Sequence, residues 1–398
     1  MATQRVQLTI TDQRFFDDAQ NKREAVRVWS LPWKLPYWIE KWDSQNEQAK
    51  VWVKVPKIPA NGSVDLYIYY GSPTAESESN GEAVFEFFDD FEGDSLDTSK
   101  WDTTGGGTIQ VQNGILSIYS GIQRGWEGIY SKQTFTEGTV LRLKSKMDNA
   151  NPGVSGHGKN IGFSQRLFES DQDEATFDWN SATGKYMTTT TNDGVCNTKD
   201  SPLSFLNWFI GEIHYISQSL VRFYGDDTLL NEHTTEIPDE PMPVSISSAG
   251  SGYSYVDWIA VRKYAEQEPT VVVGDEEASD VSGWLYRRKI TITNPNSTDL
   301  EHFQVAIDLD GSNFDFYKAN DDGSDIRITY GGGRYALPYY IETWDTATPQ
   351  AVIWVGIDSE TKFYVELNPN NTTDESDPSV MDLPEATNYT LSKFEKYT

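Results

Sequence analysis

Apolar and polar residues alternate with period two in short runs along the whole chain. The runs 64–70 (VDLYIYY), 109–112 (IQVQ), 114–119 (GILSIY) and 289–293 (KITIT) are examples. Such alternation sends successive side chains to opposite faces of a strand. The runs are rich in Val, Ile, Thr and aromatic residues and end at Gly, Asn, Asp or Pro, as β-strands and their turns do. No window of a dozen residues holds a clean 3.6-residue period with caps, so no long helix is expected. The pattern predicts an all-β chain of antiparallel sandwiches.

An internal repeat divides the chain. Residues 35–43 (LPYWIEKWD) and 337–345 (LPYYIETWD) share seven of nine positions, and the same spacing pairs Trp52 with Trp354 and Val53 with Val355. A repeat at fixed spacing marks one structural unit used twice. Three sandwiches in series are therefore expected: a first module at 1–83, a different central unit at 84–274, and a second module at 283–381. An acidic, turn-rich linker (275–282) precedes the second module and a tail (382–398) follows it. The first module lacks a counterpart of the strand at 283–293. The tail, with Tyr389, Leu391, Phe394 and Tyr397, is a candidate to supply it, within the chain or between copies. The alternative is a shorter sheet and a frayed terminus. Trp38, Trp42, Trp52, Trp344 and Trp354 recur across the copies and are expected to be repeated core.

Composition narrows the function. The chain has 398 residues with 13 Trp, 21 Tyr and 18 Phe, far too much apolar surface for disorder. With 61 Asp+Glu against 32 Lys+Arg the net charge is −29, a field that repels phosphate backbones and excludes nucleic acid as a partner. No apolar run is long enough to span a membrane, and the start carries no secretory signal. One cysteine, Cys196, permits no intrachain disulfide, and the four scattered histidines have no zinc spacing. No phosphate loop or dinucleotide fingerprint is present, so no organic cofactor is expected. The segment 320–325 (NDDGSD) has the look of a calcium-loop fragment but lacks the closing Glu, and a hairpin turn is expected there.

The repeated segments resemble a domain of unknown function found in archaeal and bacterial surface proteins. The marks are Trp284, Arg287, Ile290 and Ile292 in the second copy, the shared Leu-Pro-Tyr-x-Ile-Glu-x-Trp, and Tyr69-Tyr70-Gly71 in the first. The central unit begins with 89–101 (DDFEGDSLDTSKW) and closes with 255–262 (YVDWIAVR). It resembles the concanavalin A-like jelly rolls of legume lectins, laminin G modules and laminarinase-type hydrolases. That resemblance implies three candidate sites. Asp90, Gly93 and Asp257 are the positions of a structural Ca²⁺ that would clip the two ends together; the alternative is that the acids bond backbone amides. Glu169, Asp171 and Glu174 match the E-x-D-x-x-E spacing of the hydrolases, but the residues between them are polar and read better as a solvated loop. Trp126, Trp179 and Tyr186, with Arg124, Asp178 and Asn180, are candidates for a glycan platform; the alternative for any one ring is core.

The expectation is a non-enzymatic structural and recognition protein on a virion or other extracellular surface. A tail, turret or capsid decoration of a prokaryotic virus, an archaeal one for preference, comes first, resting on the bare Met1 start. Its partners would be surface glycans or glycoproteins and copies of itself or other surface proteins. A cell-envelope adhesin is the second reading and a laminarinase-like glycoside hydrolase the third.

Overall fold

The computed structural model of the protein describes residues 4–10, 26–30, 33–72, 75–120, 126–148, 157–165, 172–180, 183–249, 252–278, 285–323, 325–330, 335–336, 339–345, 350–357 and 363–367. Strand is by far the commonest element among these residues, every sheet pairing is antiparallel, and the single α-helix among them is the turn Gly81–Val84.

The central unit is two sheets face to face. One has seven strands in the order Val195–Asp200, Lys185–Asn192, Glu174–Asn180, His157–Ser164, Met242–Ala249, Trp126–Phe135 and Trp101–Thr104. The other runs Thr228–His233, Leu220–Gly225, Phe209–Ser217, Thr139–Met147, Tyr253–Lys263, Ile115–Tyr119 and Thr108–Gln112, with Phe87–Asp89 paired to the far end of Tyr253–Lys263. Alternation sets the core. Ile161, Phe163, Phe177 and Ile246 of the first sheet meet Leu141, Leu143, Ile213, Phe223 and Val256 of the second. One bulge changes the parity. Lys144 pairs with Trp258 but Ser145 pairs with Val256, so Asp257 is the extra residue. Tyr253 and Tyr255 before it, and Trp258, Ala260 and Arg262 after it, therefore all face away from the core.

The two repeat copies do not fold in series. Strand Ser63–Tyr70 of the first copy pairs in unbroken register with Tyr286–Thr293 of the second, from Tyr70↔Tyr286 to Ser63↔Thr293, and its other side pairs with Arg327–Tyr330. Gln48–Ile58 likewise lies between Tyr37–Asp43 of its own copy and Leu300–Asp310 of the other. Residues 33–70 and 270–330 thus share one sandwich, with a joint core of Val51, Val53, Leu66, Ile68, Ile290, Ile292, Val305 and Ile307. The remaining halves form a further pair of sheets. Gln4–Ile10 pairs with Gln350–Ile357, and Val26–Ser30 pairs with Phe363–Leu367. The arrangement is nested: the jelly roll is inserted in the middle sandwich, and the middle sandwich lies in sequence between the strands of the outermost sheets.

Three expectations are corrected by this pairing. The modules 1–83 and 283–381 are each divided between two bodies, because strands of matching pattern accept either copy as neighbour. The stretch read as a linker, and the end of the central unit before it, contain the strand Thr270–Ala278, which pairs with Tyr286–Thr293. The strand missing from the first module is supplied by Tyr286–Thr293 itself; the tail 382–398 lies outside the described residues. The geometry of the jelly roll makes the exchange possible. Its first and last strands are neighbours, with Ile259 opposite Asp89 and the Glu86 amide donating to the Val261 carbonyl at 2.9 Å. The chain therefore leaves the jelly roll close to where it entered, as inserted domains do. Asp325 fastens the exchange. Its buried carboxylate accepts the amides of Gly71 at 2.8 Å, Ser72 at 3.0 Å and Asn320 at 2.8 Å, which anchors the turn that begins at Asn320.

The middle sandwich packs on the outer face of the jelly roll's second sheet. Trp38 stands edge-on to Phe88 at 4.9 Å and to Trp258 at 5.2 Å, with Trp52 and Phe85 completing the cluster. Trp38 and Trp52 are therefore cement between two bodies, whereas Trp42 packs inside its own sandwich against Phe314 and Phe316. The side chains of Trp344 and Trp354 lie outside what is described. Beside the rings, buried Arg142 of the jelly roll forks onto Glu40 of the sandwich at 2.8 and 3.0 Å and reaches Glu212 at 3.0 Å. Burial alone would push the Glu212 carboxyl up, but Arg262, His214 and Arg142 overcome it and hold it well below the usual carboxylate range. The Trp52 indole donates to Glu40 at 2.6 Å, so ring and ion pair form one joint.

Candidate functional site

Among the described residues the expected glycan platform does not assemble. Trp179 and Tyr186 pair directly across neighbouring strands. Trp179 shares strand parity with Ala175 and Phe177 and points into the core. The Tyr186 ring packs against it at 4.6 Å and donates its hydroxyl to the Met147 carbonyl at 3.1 Å, and burial pushes the phenol up to about 12. Asp178 faces the other way and is fully buried, accepting the Thr176 hydroxyl at 2.9 Å. Asn180 ends that strand, and its side-chain amide oxygen Oδ1 accepts the Thr183 amide at 3.2 Å. Arg124 and the side chain of Trp126 are outside the described residues.

Of the three hydrolase-like acids, Glu169 and Asp171 are likewise outside them. Glu174 opens the strand Glu174–Asn180, and its carboxylate accepts the Thr191 hydroxyl at 2.9 Å. The positions that follow it on the same strand face are Thr176 and Asp178.

The calcium trio has other partners to account for. Asp257, the bulge residue, pairs with the Lys144 ammonium at 2.5 Å. The buried acid at the jelly-roll entrance is Asp89, next to Asp90. It accepts the Phe91 amide at 2.8 Å and the Trp101 indole at 2.6 Å. Gly93 sits at φ +105°, in a turn that only glycine adopts easily. Among the described residues no group of three His, Cys, Asp or Glu side chains is placed to hold a metal ion. An ammonium already on Asp257 does not fit a calcium cage there.

A different surface does assemble. On the outer face of the second sheet, beyond the part covered by the middle sandwich, four rings form a row. Tyr119 stacks on its cross-strand partner Tyr253 at 4.8 Å, Tyr253 on Tyr255 at 5.4 Å, and Tyr255 lies 6.5 Å from Trp208. All four are partly exposed. Lys146, from the neighbouring strand, places its ammonium 4.5 Å from the Tyr255 ring centre and 5.2 Å from that of Trp208, within cation–π range. Lys144 is 5.8 Å from Trp208. The row runs across neighbouring strands with one step along a strand, from Tyr253 to Tyr255, and its members are scattered over more than 130 positions of sequence, from Tyr119 to Tyr255. The available signal was the alternation Tyr253-Ser254-Tyr255-Val256, which already separates two tyrosines from the core.

The sequence model of a domain of unknown function, DUF2341, matches residues 26–104 and 322–395, segments that include strands of both repeat copies. None of the curated proteins matches the chain. Among solved structures the chain is similar to an endo-acting O-glycanase described for mucin breakdown by the human gut microbiota. The two share 17% identity over 46% of this chain and all of the other, with a TM-score of 0.38. The pseudo β-1,3-glucanase of Mycobacterium tuberculosis shares 14% identity, covering 46% of this chain and 100% of its own, with a TM-score of 0.36. The β-glucanase of Bacillus licheniformis shares 14%, covering 45% and 98%, with a TM-score of 0.35. No helix among the described residues is long and apolar enough to cross a membrane.

Proposed function

We propose that the protein is a non-enzymatic recognition protein of an outer surface, whose jelly roll contacts glycans through the row Tyr119, Tyr253, Tyr255 and Trp208. The row itself carries this reading: partly exposed rings with hydroxyls and two ammonium groups on a rigid sheet suit sugar rings, which offer apolar faces and polar edges. The absence of catalysis is supported by the surroundings of Glu174. Retaining hydrolysis needs two carboxyls roughly 5–5.5 Å apart. The residues between Glu169, Asp171 and Glu174 are polar, and the Glu174 carboxylate is engaged by the Thr191 hydroxyl. Binding on a glycan array without release of reducing sugar, lost in Tyr255→Ala, is the expected result. Hydrolysis of a β-glucan that disappears in Glu174→Gln would overturn it. A virion is the setting proposed first and a cell-envelope adhesin second. Mass spectrometry of purified virions separates them.

A further inference from the structure

We infer that the ligand of the aromatic row is an acidic glycan, and that Lys146 is the cation that meets its acid groups; this rests on the recognition reading above. The surroundings of the two lysines differ. Lys144 is neutralised by Asp257 at 2.5 Å. Lys146 has no carboxylate within ion-pair distance among the described residues, and its ammonium lies between the Tyr255 and Trp208 rings. Asp148, just past the end of the same strand, accepts the Tyr253 amide at 3.1 Å, and its charge reaches the Tyr255 phenol. An ammonium with no ion-pair partner, in a chain of net charge −29, favours a negatively charged group arriving there.

The shape of the row decides the kind of anion. Its rings come from strands Ile115–Tyr119 and Tyr253–Lys263 and from Trp208 at the start of Phe209–Ser217, with Lys146 on the strand between. At the usual strand spacing this spans roughly 15 Å, the length of a short oligosaccharide and more than one sugar needs. Sugar C–H faces lie against ring edges and faces, hydroxyls meet the tyrosine hydroxyls and Ser117 beside Tyr119, and an acid group on one residue of the chain takes the Lys146 ammonium. A neutral glycan leaves that ammonium unused. An acidic peptide would use the ammonium but has no need of four adjoining rings.

The test is calorimetric titration of the full chain with tetramers of galacturonate, guluronate and sulfated galactose, each against a neutral galactose tetramer. At least one acidic tetramer is expected to bind ten-fold or more tightly than the neutral one, with an affinity that falls as salt rises. Lys146→Met should remove that preference by weakening the acidic tetramer far more than the neutral one, while Tyr255→Ala should weaken both alike. Equal binding of acidic and neutral tetramers, insensitive to Lys146→Met, overturns the acidic assignment and leaves glycan recognition standing. Binding of an oligoglutamate peptide with no glycan bound overturns both and makes the partner a protein. Binding of nothing, here or on the array, also overturns both.

Discussion

The jelly roll and the middle sandwich are both two-sheet β bodies, yet they are assembled from the chain in opposite ways. Every jelly-roll strand comes from one continuous stretch, Phe87 to Lys263. Each sheet of the middle sandwich needs strands from two stretches separated by that whole domain. Bringing such distant segments together costs chain entropy before any contact rewards it. The jelly roll removes most of that cost, because its own first and last strands are neighbours. The inserted body acts as the brace for the body that holds it, and the same logic applies once more to the outermost sheets.

Truncation breaks this comparison most severely. A chain ending at Ala278 loses both neighbours of Ser63–Tyr70 and one of Gln48–Ile58. Calorimetry should show the middle-sandwich transition gone and the jelly-roll transition retained, and limited proteolysis should cut within 33–70. Modules in series would have left the first one folded, so a protected 33–70 in the truncated chain would refute the exchange.

The strands themselves were legible in the sequence, and their partners were not. The runs 64–70, 109–112, 114–119 and 289–293 fall within Ser63–Tyr70, Thr108–Gln112, Ile115–Tyr119 and Tyr286–Thr293, give or take a residue. Alternation states which face is apolar, but two copies with the same pattern offer each strand two equivalent neighbours. Only the adjacency of the jelly-roll ends chooses between them, and that is a property of the folded central body. The site was obscured for a related reason. Trp179 looked like a platform by residue type, yet its parity with Phe177 put it inside. Tyr119, Tyr253, Tyr255 and Trp208 become neighbours only when three strands align. Of the E-x-D-x-x-E spacing only Glu174 is described, and it stands on a strand face with a threonine next to it.

The joint between the two bodies gives the next largest effect. Arg142→Met leaves Glu40, buried with only 7% of its side chain exposed, without its bidentate partner, and Glu212 without one of its cations. Breaking a buried pair from one side costs about 3–5 kcal/mol. The expected outcome is that the middle sandwich melts earlier and separately from the jelly roll. Trp38→Ala, which empties the aromatic half of the same joint, should act in the same direction by about 3–5 kcal/mol. Unchanged, single-transition melting in both variants would mean that the bodies are not coupled there.

Acid should separate the two bodies more gently. His233 closes one edge of the jelly roll, with ring nitrogens 2.9 Å from the Thr188 hydroxyl and 3.1 Å from that of Thr190. Burial, helped by the Lys199 charge, pushes the imidazole down to about 4 from an ordinary 6.5. Between those values the unfolded chain binds the proton and the folded one does not, so stability rises with pH across that window and levels off on either side. The jelly-roll transition should therefore fall in temperature as pH drops from about 6.5 to 4, with a slope of at most about one proton. His233→Gln should flatten that part of the profile. A slope that survives the substitution would assign the effect to other groups.

Calcium should have the smallest effect, because each body closes with a carboxylate on protein donors. In the middle sandwich Asp325 holds the amides of Gly71 and Ser72. In the jelly roll Asp89 holds the Phe91 amide and the Trp101 indole, and the ion that meets Asp257 is the Lys144 ammonium. A ligand that binds only the folded state stabilises it by RT ln(1 + [L]/Kd), about 0.4 kcal/mol when its concentration equals Kd. Millimolar Ca²⁺ or chelator should then move the jelly-roll melting temperature by less than about 1 °C. Lys144→Met sharpens the test, since it removes the competing charge and leaves Asp257 free to join Asp90 and the Gly93 carbonyl. A calcium response that appears only in this variant would show that the ammonium fills the role of the cation. A shift of several degrees in the unaltered protein would instead place calcium at Asp90, Gly93 and Asp257 and displace Lys144 from its partner.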